Sequence, residues 1–215
     1  MKSLKELFRI GKGPSSSHTM GPQMAAKIFL ERNKKAKEFE VTLYGSLAAT
    51  GKGHQTDSAI LDILSPVAKV NLLWEPTIFL PFHPNGMRFV SKDEEGKTME
   101  EWTVYSVGGG ALSEGKDAGN HVEHDVYDMN TMTEIMKWCY DNGRNYWEYV
   151  DITEGPNIWD YLMKVWKAMQ DAVERGINTE GRLPGPLNLS RKASTYYVKA
   201  SGYQRNLQTR GLVYS

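Results

Sequence analysis

Residues 13–21 read Gly-Pro-Ser-Ser-Ser-His-Thr-Met-Gly and place four hydroxyl groups and one imidazole in a single short segment. Gly13 and Pro14 interrupt the preceding chain, and the serines are favoured N-cap residues for a helix predicted from Met24 to Leu30. A helix start carries unpaired N–H groups and the positive end of the helix dipole, so it attracts a carboxylate or a phosphate. An imidazole beside such a ligand titrates near neutral pH. The segment therefore predicts an anion site with a histidine base, or else an over-supplied helix cap with a surface histidine.

A second loop, Gly51-Lys-Gly-His-Gln-Thr-Asp57, has similar chemistry. Its glycines permit close backbone approach, and His54 precedes a helix predicted over Ser58–Leu64 that Thr56 or Asp57 can cap. Two such loops together would form a plausible pocket. The alternative is an ordinary glycine-bracketed turn in which the histidine is incidental.

Two further segments are open to two interpretations. His83-Pro-Asn-Gly86 can contact a polar ligand through His83 and Asn85, but it also suits a tight turn between strands. Gly108-Gly-Gly110 lacks the spacing and the lysine of a P-loop, so it predicts a flexible strand exit.

Hydrophobic periodicity predicts mixed strands and helices without strict alternation. The predicted strands cover residues 39–45, 77–80, 87–90 and 101–107. Further helices are predicted over about 130–142 and 156–176, while 146–151 fits a short helix or a strand. This order favours an α+β fold, a sandwich of helices on a mostly antiparallel sheet.

Composition narrows the possible partners and cofactors. The 215 residues include 26 Lys and Arg against 26 Asp and Glu, so no global field favours nucleic acid or an anionic membrane. The single cysteine, Cys139, excludes an intrachain disulfide and cannot by itself hold an iron–sulfur cluster. The five histidines, including the pair His121 and His124, show no familiar zinc spacing, and no metal is assigned to these residues. The N-terminal residues lack the apolar core of a signal peptide and no run is long enough to span a bilayer, which predicts a cytoplasmic protein.

Four motifs, taken in order, resemble those of the iron–sulfur-dependent bacterial L-serine dehydratases. They are Gly-Pro-Ser-Ser-Ser-His-Thr-Met-Gly-Pro at 13–22, Leu-Tyr-Gly-Ser-Leu-Ala-Ala-Thr-Gly-Lys-Gly-His-x-Thr-Asp at 43–57, His-Pro-Asn-Gly-Met at 83–87 and Tyr-Ser-Val-Gly-Gly-Gly at 105–110. The resemblance is to the beta chain or N-terminal beta domain. It implies a fold similar to the accessory, allosteric substrate-binding domain of phosphoglycerate dehydrogenases. It also implies a beta domain over 1–180, followed over 181–215 by a linker and the start of a missing alpha domain.

The resemblance implies conversion of L-serine to pyruvate and ammonia. In the family, a [4Fe-4S] cluster is held by cysteines of the alpha part, and an iron without a cysteine ligand acts as Lewis acid on the serine hydroxyl while a base removes the α-proton. These residues alone do not bind the cluster, so this chain by itself is expected to be inactive. The implied partners are L-serine, the alpha domain of the same chain and a second copy in a homodimer.

The resemblance also implies roles for individual residues. His18 and His54 compete for the role of base, and the expected substrate-binding residues are Ser15, Ser16, Ser17, Thr19, Thr56 and Asp57. A separate regulatory serine site would use His83, Asn85 and Gly86. Gln55 departs from the family, which more often has glycine there.

Two alternatives to a lyase half-site stay open. One is a non-catalytic module that senses serine and dimerises. The weaker one is a self-contained serine hydrolase using Ser16 or Ser17 with a histidine, although the chain has no G-x-S-x-G elbow.

Overall fold

The computed structural model describes residues 1–115, 125–185 and 187–202. The chain forms two compact units, Met1–Leu162 and Met163–Ser215. His121 and His124 lie outside the described residues, so the expectation that they hold no metal stays a prediction. The predicted division at residue 180 likewise stays a prediction.

The first unit combines a sheet with short helices. Its helical elements are α1 (Leu4–Leu7), a π-helical turn (Ser16–Met20), α2 (Gly21–Arg32), α3 (Gly45–Thr50), α4 (Thr56–Leu64), α5 (Met132–Asn142) and α6 (Tyr146–Glu154). Its strands are β1 (Glu38–Tyr44), β2 (Lys69–Glu75), β3 (Gly86–Lys92), β4 (Thr98–Gly108) and β5 (Ala111–Ser113). The long helix α7 (Asn157–Asn178) begins in this unit and continues into the second, in which residues 193–202 are also helical.

The five strands form one sheet in the order β2-β1-β3-β4-β5. The pairing of β1 with β2 is parallel, and the other three pairings are antiparallel. The predicted α+β fold with a mostly antiparallel sheet is therefore confirmed. Its resemblance to the phosphoglycerate dehydrogenase accessory domain stays a prediction.

The core lies between one face of the sheet and the helices α2, α3 and α4. Phe29 of α2 is fully buried, and its ring stacks parallel to that of Trp102 in β4 with 6.2 Å between the centroids. Alternate residues of β1 point into the same core, because Phe39, Val41 and Leu43 are fully buried. This packing fixes α2 and the α3–α4 crossover over the sheet.

The prediction of a strand over Thr77–Leu80 is wrong, and the sequence analysis did not predict the strand β2, which lies just before these residues. Val70, Leu72 and Trp74 alternate along β2 and pack against the core, which is the signal that sequence reasoning overlooked. Residues 77–80 instead lie at the C-terminal end of β1, where the carbonyl of Ile78 accepts a hydrogen bond from the N–H of Gly45 at 2.9 Å.

The turn interpretation of His83–Gly86 also needs correction. The segment precedes β3, but β2 and β3 flank β1 on opposite sides and do not pair with each other. It is therefore not a hairpin turn. Hairpins instead join β3 to β4 through residues 93–97, and β4 to β5 through Gly109 and Gly110. The φ angles of Gly109 and Gly110, 59° and 77°, lie in the left-handed region that favours glycine.

The helical predictions nearer the C-terminus are confirmed. Thr131 caps α5 through a reciprocal capping box with Glu134, and residues 146–151, which fitted helix or strand, belong to α6. Among the described residues, no helix combines the length and the apolar character needed to cross a membrane.

Candidate active site

The first candidate segment forms a π-helical turn directly before α2. Ser15 is the N-cap residue, and its side-chain oxygen accepts a hydrogen bond from the N–H of His18 at 3.1 Å. The π-helical turn then runs without a break into α2. Such single wide turns are frequent at functional sites. His18 is thereby held at the start of a long helix.

The second candidate segment is a series of turns between α3 and α4. Gln55 precedes α4 with φ 57° and ψ 36°, in the left-handed region. A residue with a Cβ atom is disfavoured there by about 1 kcal/mol, which gives a physical reason why glycine suits this position. The turn presents His54 on the side facing the first segment.

Two threonine hydroxyls tie the segments together reciprocally. The hydroxyl of Thr19 donates to the carbonyl oxygen of His54 at 2.7 Å, and the hydroxyl of Thr56 donates to the carbonyl oxygen of His18 at 2.5 Å. Both threonines are almost fully buried. Each therefore fixes the backbone of the other segment's histidine, a role that sequence reasoning, which expected substrate contacts, did not foresee.

The reciprocal bonds bring the two imidazoles together, with 4.8 Å between the ring centroids. Both ring nitrogens of His18 have hydroxyl partners: Nδ1 lies 2.9 Å from Oγ of Ser17, and Nε2 lies 3.2 Å from Oγ of Ser46. Ser46 was not singled out from the sequence; its signal is its position two residues after the end of β1.

His54 is held through one nitrogen only. Its Nδ1 lies 3.0 Å from the carbonyl oxygen of Thr50. Because a carbonyl oxygen only accepts, Nδ1 carries the proton in the neutral ring, and Nε2 carries the lone pair. Within the described part of the chain, no hydrogen bond to this Nε2 is present. The half-exposed His54 therefore offers a free basic nitrogen, whereas His18 does not.

The remaining candidate substrate residues are Ser16 and Asp57. Ser16 is exposed and Asp57 is half-buried. The carboxylate of Asp57 accepts a hydrogen bond from the N–H of Ser58 at 2.8 Å, within the first turn of α4. Negative charge is favourable at a helix start, so this contact stabilises α4. The structure does not test whether Ser16 and Asp57 bind the substrate, so their substrate roles stay predictions.

The loop at residues 83–86 is connected to the histidine pair through Ser46, whose hydroxyl lies 3.2 Å from Nε2 of His18. The carbonyl oxygen of Pro84 accepts a hydrogen bond from the N–H of Ser46 at 2.9 Å. Asn85 bonds the end of β4 twice: its Nδ2 donates to the carbonyl oxygen of Ser106, and its own carbonyl oxygen accepts from the N–H of Ser106 at 3.0 Å. The end of β1 and the start of β3 are neighbours in the sheet. The loops that follow β1 and precede β3 therefore meet at the same end of the sheet.

Two buried oxygens at this end of the sheet have no hydrogen-bond partner among the described residues: Oδ1 of Asn85 and Oγ of Ser106. Asn85 is only 8% exposed. An unsatisfied buried acceptor costs about 1–3 kcal/mol, so Oδ1 is suited to receive a donor from a bound molecule. His83 contributes differently, because its Nδ1 accepts from the N–H of Asn85 at 3.1 Å and so fixes the loop.

Replacing His18 with glutamine should change how stability depends on pH. Burial, followed by the nearby His54, lowers the pKa of His18 below its ordinary 6.5, and the hydrogen bond to the backbone of Ser46 opposes this. Since the unfolded chain then binds the proton more tightly, the stability is full above about pH 6.5 and is lost as the pH falls toward the folded pKa. In urea unfolding, the free energy of unfolding of His18→Gln should decline less than that of the native chain as the pH falls from about 7.5 to about 5.5. Equal declines would contradict the assignment.

Replacing Thr19 or Thr56 with valine should lower the free energy of unfolding by about 1–2 kcal/mol each. Valine keeps the shape but leaves the carbonyl oxygen of the opposite histidine without its donor. The matched control is Thr50→Val, because that hydroxyl bonds the Ser46 carbonyl at an exposed position; its effect should stay within about 0.5 kcal/mol. Equal losses in all three variants would show that the reciprocal bonds are not special.

The described residues do not fit an iron–sulfur cluster. They contain no group of three or more His, Cys, Asp or Glu side chains arranged to hold a metal ion, and Cys139 is buried in α5. A cluster ordinarily takes three or four thiolates. The described residues therefore do not supply the ligand set of a cluster, and the cofactor stays a prediction.

A family model described as "Serine dehydratase beta chain" matches residues 3–67 and 62–117, which include both histidine segments and the loop at 83–86. The chain belongs to this family. The resemblance seen in the four motifs is thus confirmed.

Curated relatives agree over most of the chain. It is 35% identical to the L-serine dehydratase TdcG of Escherichia coli, over 90% of this chain and 53% of that protein. The L-serine dehydratase of Haemophilus influenzae is 34% identical, over 92% of this chain and 54% of that protein, and that of Helicobacter pylori is 32% identical, over 89% and 52%. The chain spans about half the length of these relatives.

Proposed function

We propose that this chain is the beta part of an L-serine dehydratase, a lyase that converts L-serine to pyruvate and ammonia. The observation that carries the proposal is the pair of facing imidazoles, of which His54 has a free basic Nε2. The names of the relatives support the substrate.

The start of the π-helical turn is suited to the substrate carboxylate. The N–H groups of Ser16 and Ser17 bond no acceptor among the described residues, and the turn leads into the positive end of α2. The hydroxyls of Ser15 and Ser17 lie beside them. The carboxylate placed there would lie next to both histidines.

His54 is the better candidate for the base. In this scheme its Nε2 removes the α-proton of serine, while the proton on Nδ1 is donated to the Thr50 carbonyl oxygen and so fixes the tautomer. His18, kept neutral by its lowered pKa and held by Ser17 and Ser46, positions the substrate. The orphan Oδ1 of Asn85 can accept from the substrate ammonium group, which would make the loop at 83–86 part of the same site and not a separate one.

Loss of the β-hydroxyl group as water gives aminoacrylate. This tautomerises to the imine, and hydrolysis of the imine gives pyruvate and ammonia. The described residues do not fit the [4Fe-4S] cluster, so we assign no step of this chain to it, and we expect activation of the leaving hydroxyl to come from the half of the enzyme that this chain lacks.

The test is to assay pyruvate formation from L-serine without oxygen, with this chain alone and with this chain joined to the remaining half of its relatives. Turnover in the joined protein only is the expected result. Binding of L-serine by the chain, with no turnover in either form, would contradict the proposal and favour the serine-sensing module.

A further inference from the structure

The strand β2 forms one edge of the sheet and is bonded along one side only. It is seven residues long and pairs with β1, whereas the opposite edge strand, β5, has three residues. Among the described residues, the backbone groups of residues 69–74 bond no segment other than β1. A long unpaired edge is a template for pairing with another strand. No bulge interrupts the β1–β2 ladder, so the edge is straight enough to pair.

The sequence of β2, Lys-Val-Asn-Leu-Leu-Trp-Glu, is complementary to itself in the antiparallel direction. When two copies are aligned about Leu72, Lys69 of each lies opposite Glu75 of the other. Opposite charges directly across an antiparallel pair stabilise it, and like charges destabilise it. The alignment creates two such ion pairs by symmetry, as a two-fold interface requires.

The two faces of the strand also match. Lys69 and Glu75 lie on the face away from the core, while Val70, Leu72 and Trp74 point toward the helices. Antiparallel pairing therefore sets Val70 against Trp74, and Leu72 against its own copy, on the helix-covered side. The side chain of Lys69 is 75% exposed and forms an ion pair with Glu38 at 3.3 Å, so it is accessible to a second copy.

We propose that two copies of this chain associate through antiparallel β2 strands, forming one continuous sheet with Lys69 opposite Glu75 at both ends. Because β2 runs parallel to β1, the two histidine sites lie at opposite ends of the joined sheet and stay open. Trp74 links the interface to each site, since its ring lies 5.5 Å from Nζ of Lys52 in the His54 loop.

Charge reversal gives a specific test, with the oligomeric state of the full chain measured by analytical ultracentrifugation at low salt. Lys69→Glu and Glu75→Lys each set like charges opposite one another, so each should weaken the dimer by about tenfold or more. Mixing the two variants restores complementarity, because each pair across the interface is then opposite in sign. The mixed sample should dimerise like the native chain, and Glu95→Lys in the exposed turn after β3 should change nothing.

A native chain that stays monomeric at micromolar concentrations would overturn the proposal. So would a dimer that neither single variant weakens, because it would use another face. If Glu75→Lys instead leaves the dimer intact and disrupts binding of the remaining half of the enzyme, the edge binds that half and the proposal is wrong. Hydrogen exchange gives a second readout: the β2 amides should become more protected as the concentration rises, and unchanged exchange would count against the interface.

Discussion

Replacing His54 with glutamine should lower kcat for pyruvate formation by about 10²- to 10⁴-fold in the joined enzyme. The variant keeps a polar side chain of similar reach but has no basic nitrogen. The loss should fall on kcat more than on KM, because the proposed carboxylate site at residues 15–17 is untouched. With L-serine that carries deuterium at Cα, the difference in kcat between the native enzyme and His54→Gln should grow, because proton removal becomes the slow step in the variant.

The matched variant is His18→Gln, which decides between the two histidines. His18 has hydroxyl partners on both ring nitrogens and a lowered pKa, so its loss should raise KM and reduce kcat less than the loss of His54 does. A larger kcat loss in His18→Gln would make His18 the base. Undiminished kcat in both variants would remove the base assignment altogether.

Replacing Gly21 with alanine should lower the free energy of unfolding by about 1–3 kcal/mol. A Cβ atom at Gly21 would lie 2.2 Å from Oγ and 2.9 Å from Cβ of Ser106, which is fully buried and cannot swing away. The start of α2 would have to move away from β4. Because His18 precedes Gly21 by one helical turn, we also expect the Gly21→Ala variant of the joined enzyme to turn over L-serine more slowly.

The control for this variant is Gly176→Ala, another helical glycine. The nearest heavy atom to its added Cβ lies 4.0 Å away, and alanine favours a helix over glycine by up to about 1 kcal/mol. This variant should therefore be neutral or slightly stabilising in thermal or urea unfolding. A Gly21→Ala chain as stable as the control would show that the contact with Ser106 relaxes easily.

The sequence predicted the parts of the fold that rest on local patterns. Alternation predicted β1, β3 and β4, and the length of the apolar periodicity predicted α5 and α7. Strand β2 was missed because the apolar run at 77–80 competes with it; that run lies against the sheet edge through Ile78, a long-range contact that no local pattern reveals. The parallel pairing of β1 with β2 is equally non-local.

The candidate site was predictable in its residue types and less so in its contacts. The similar chemistry of the two loops suggested that the segments with His18 and His54 could form one pocket, and the structure brings the two imidazoles to 4.8 Å between ring centroids. That similarity did not reveal that the hydroxyls of Thr19 and Thr56 bond the opposite backbone, because that exchange depends on three-dimensional packing. The contact of the loop at 83–86 with Ser46 was not foreseen for the same reason, because it arises from the neighbouring ends of β1 and β3. The separate regulatory serine site at His83, Asn85 and Gly86 stays a prediction.

The most direct test is an NMR titration of the 215-residue chain with L-serine. The histidines are labelled with ¹⁵N, and their imidazole signals are followed as L-serine is added. The account predicts that L-serine shifts the signals of His18 and His54 together, and that L-alanine, which lacks the hydroxyl but keeps the carboxylate, also does so more weakly. Signals assigned by His18→Gln and His54→Gln make the result unambiguous. Shifts confined to His83, with His18 and His54 unchanged at saturating L-serine, would contradict the claim that the histidine pair is the serine site.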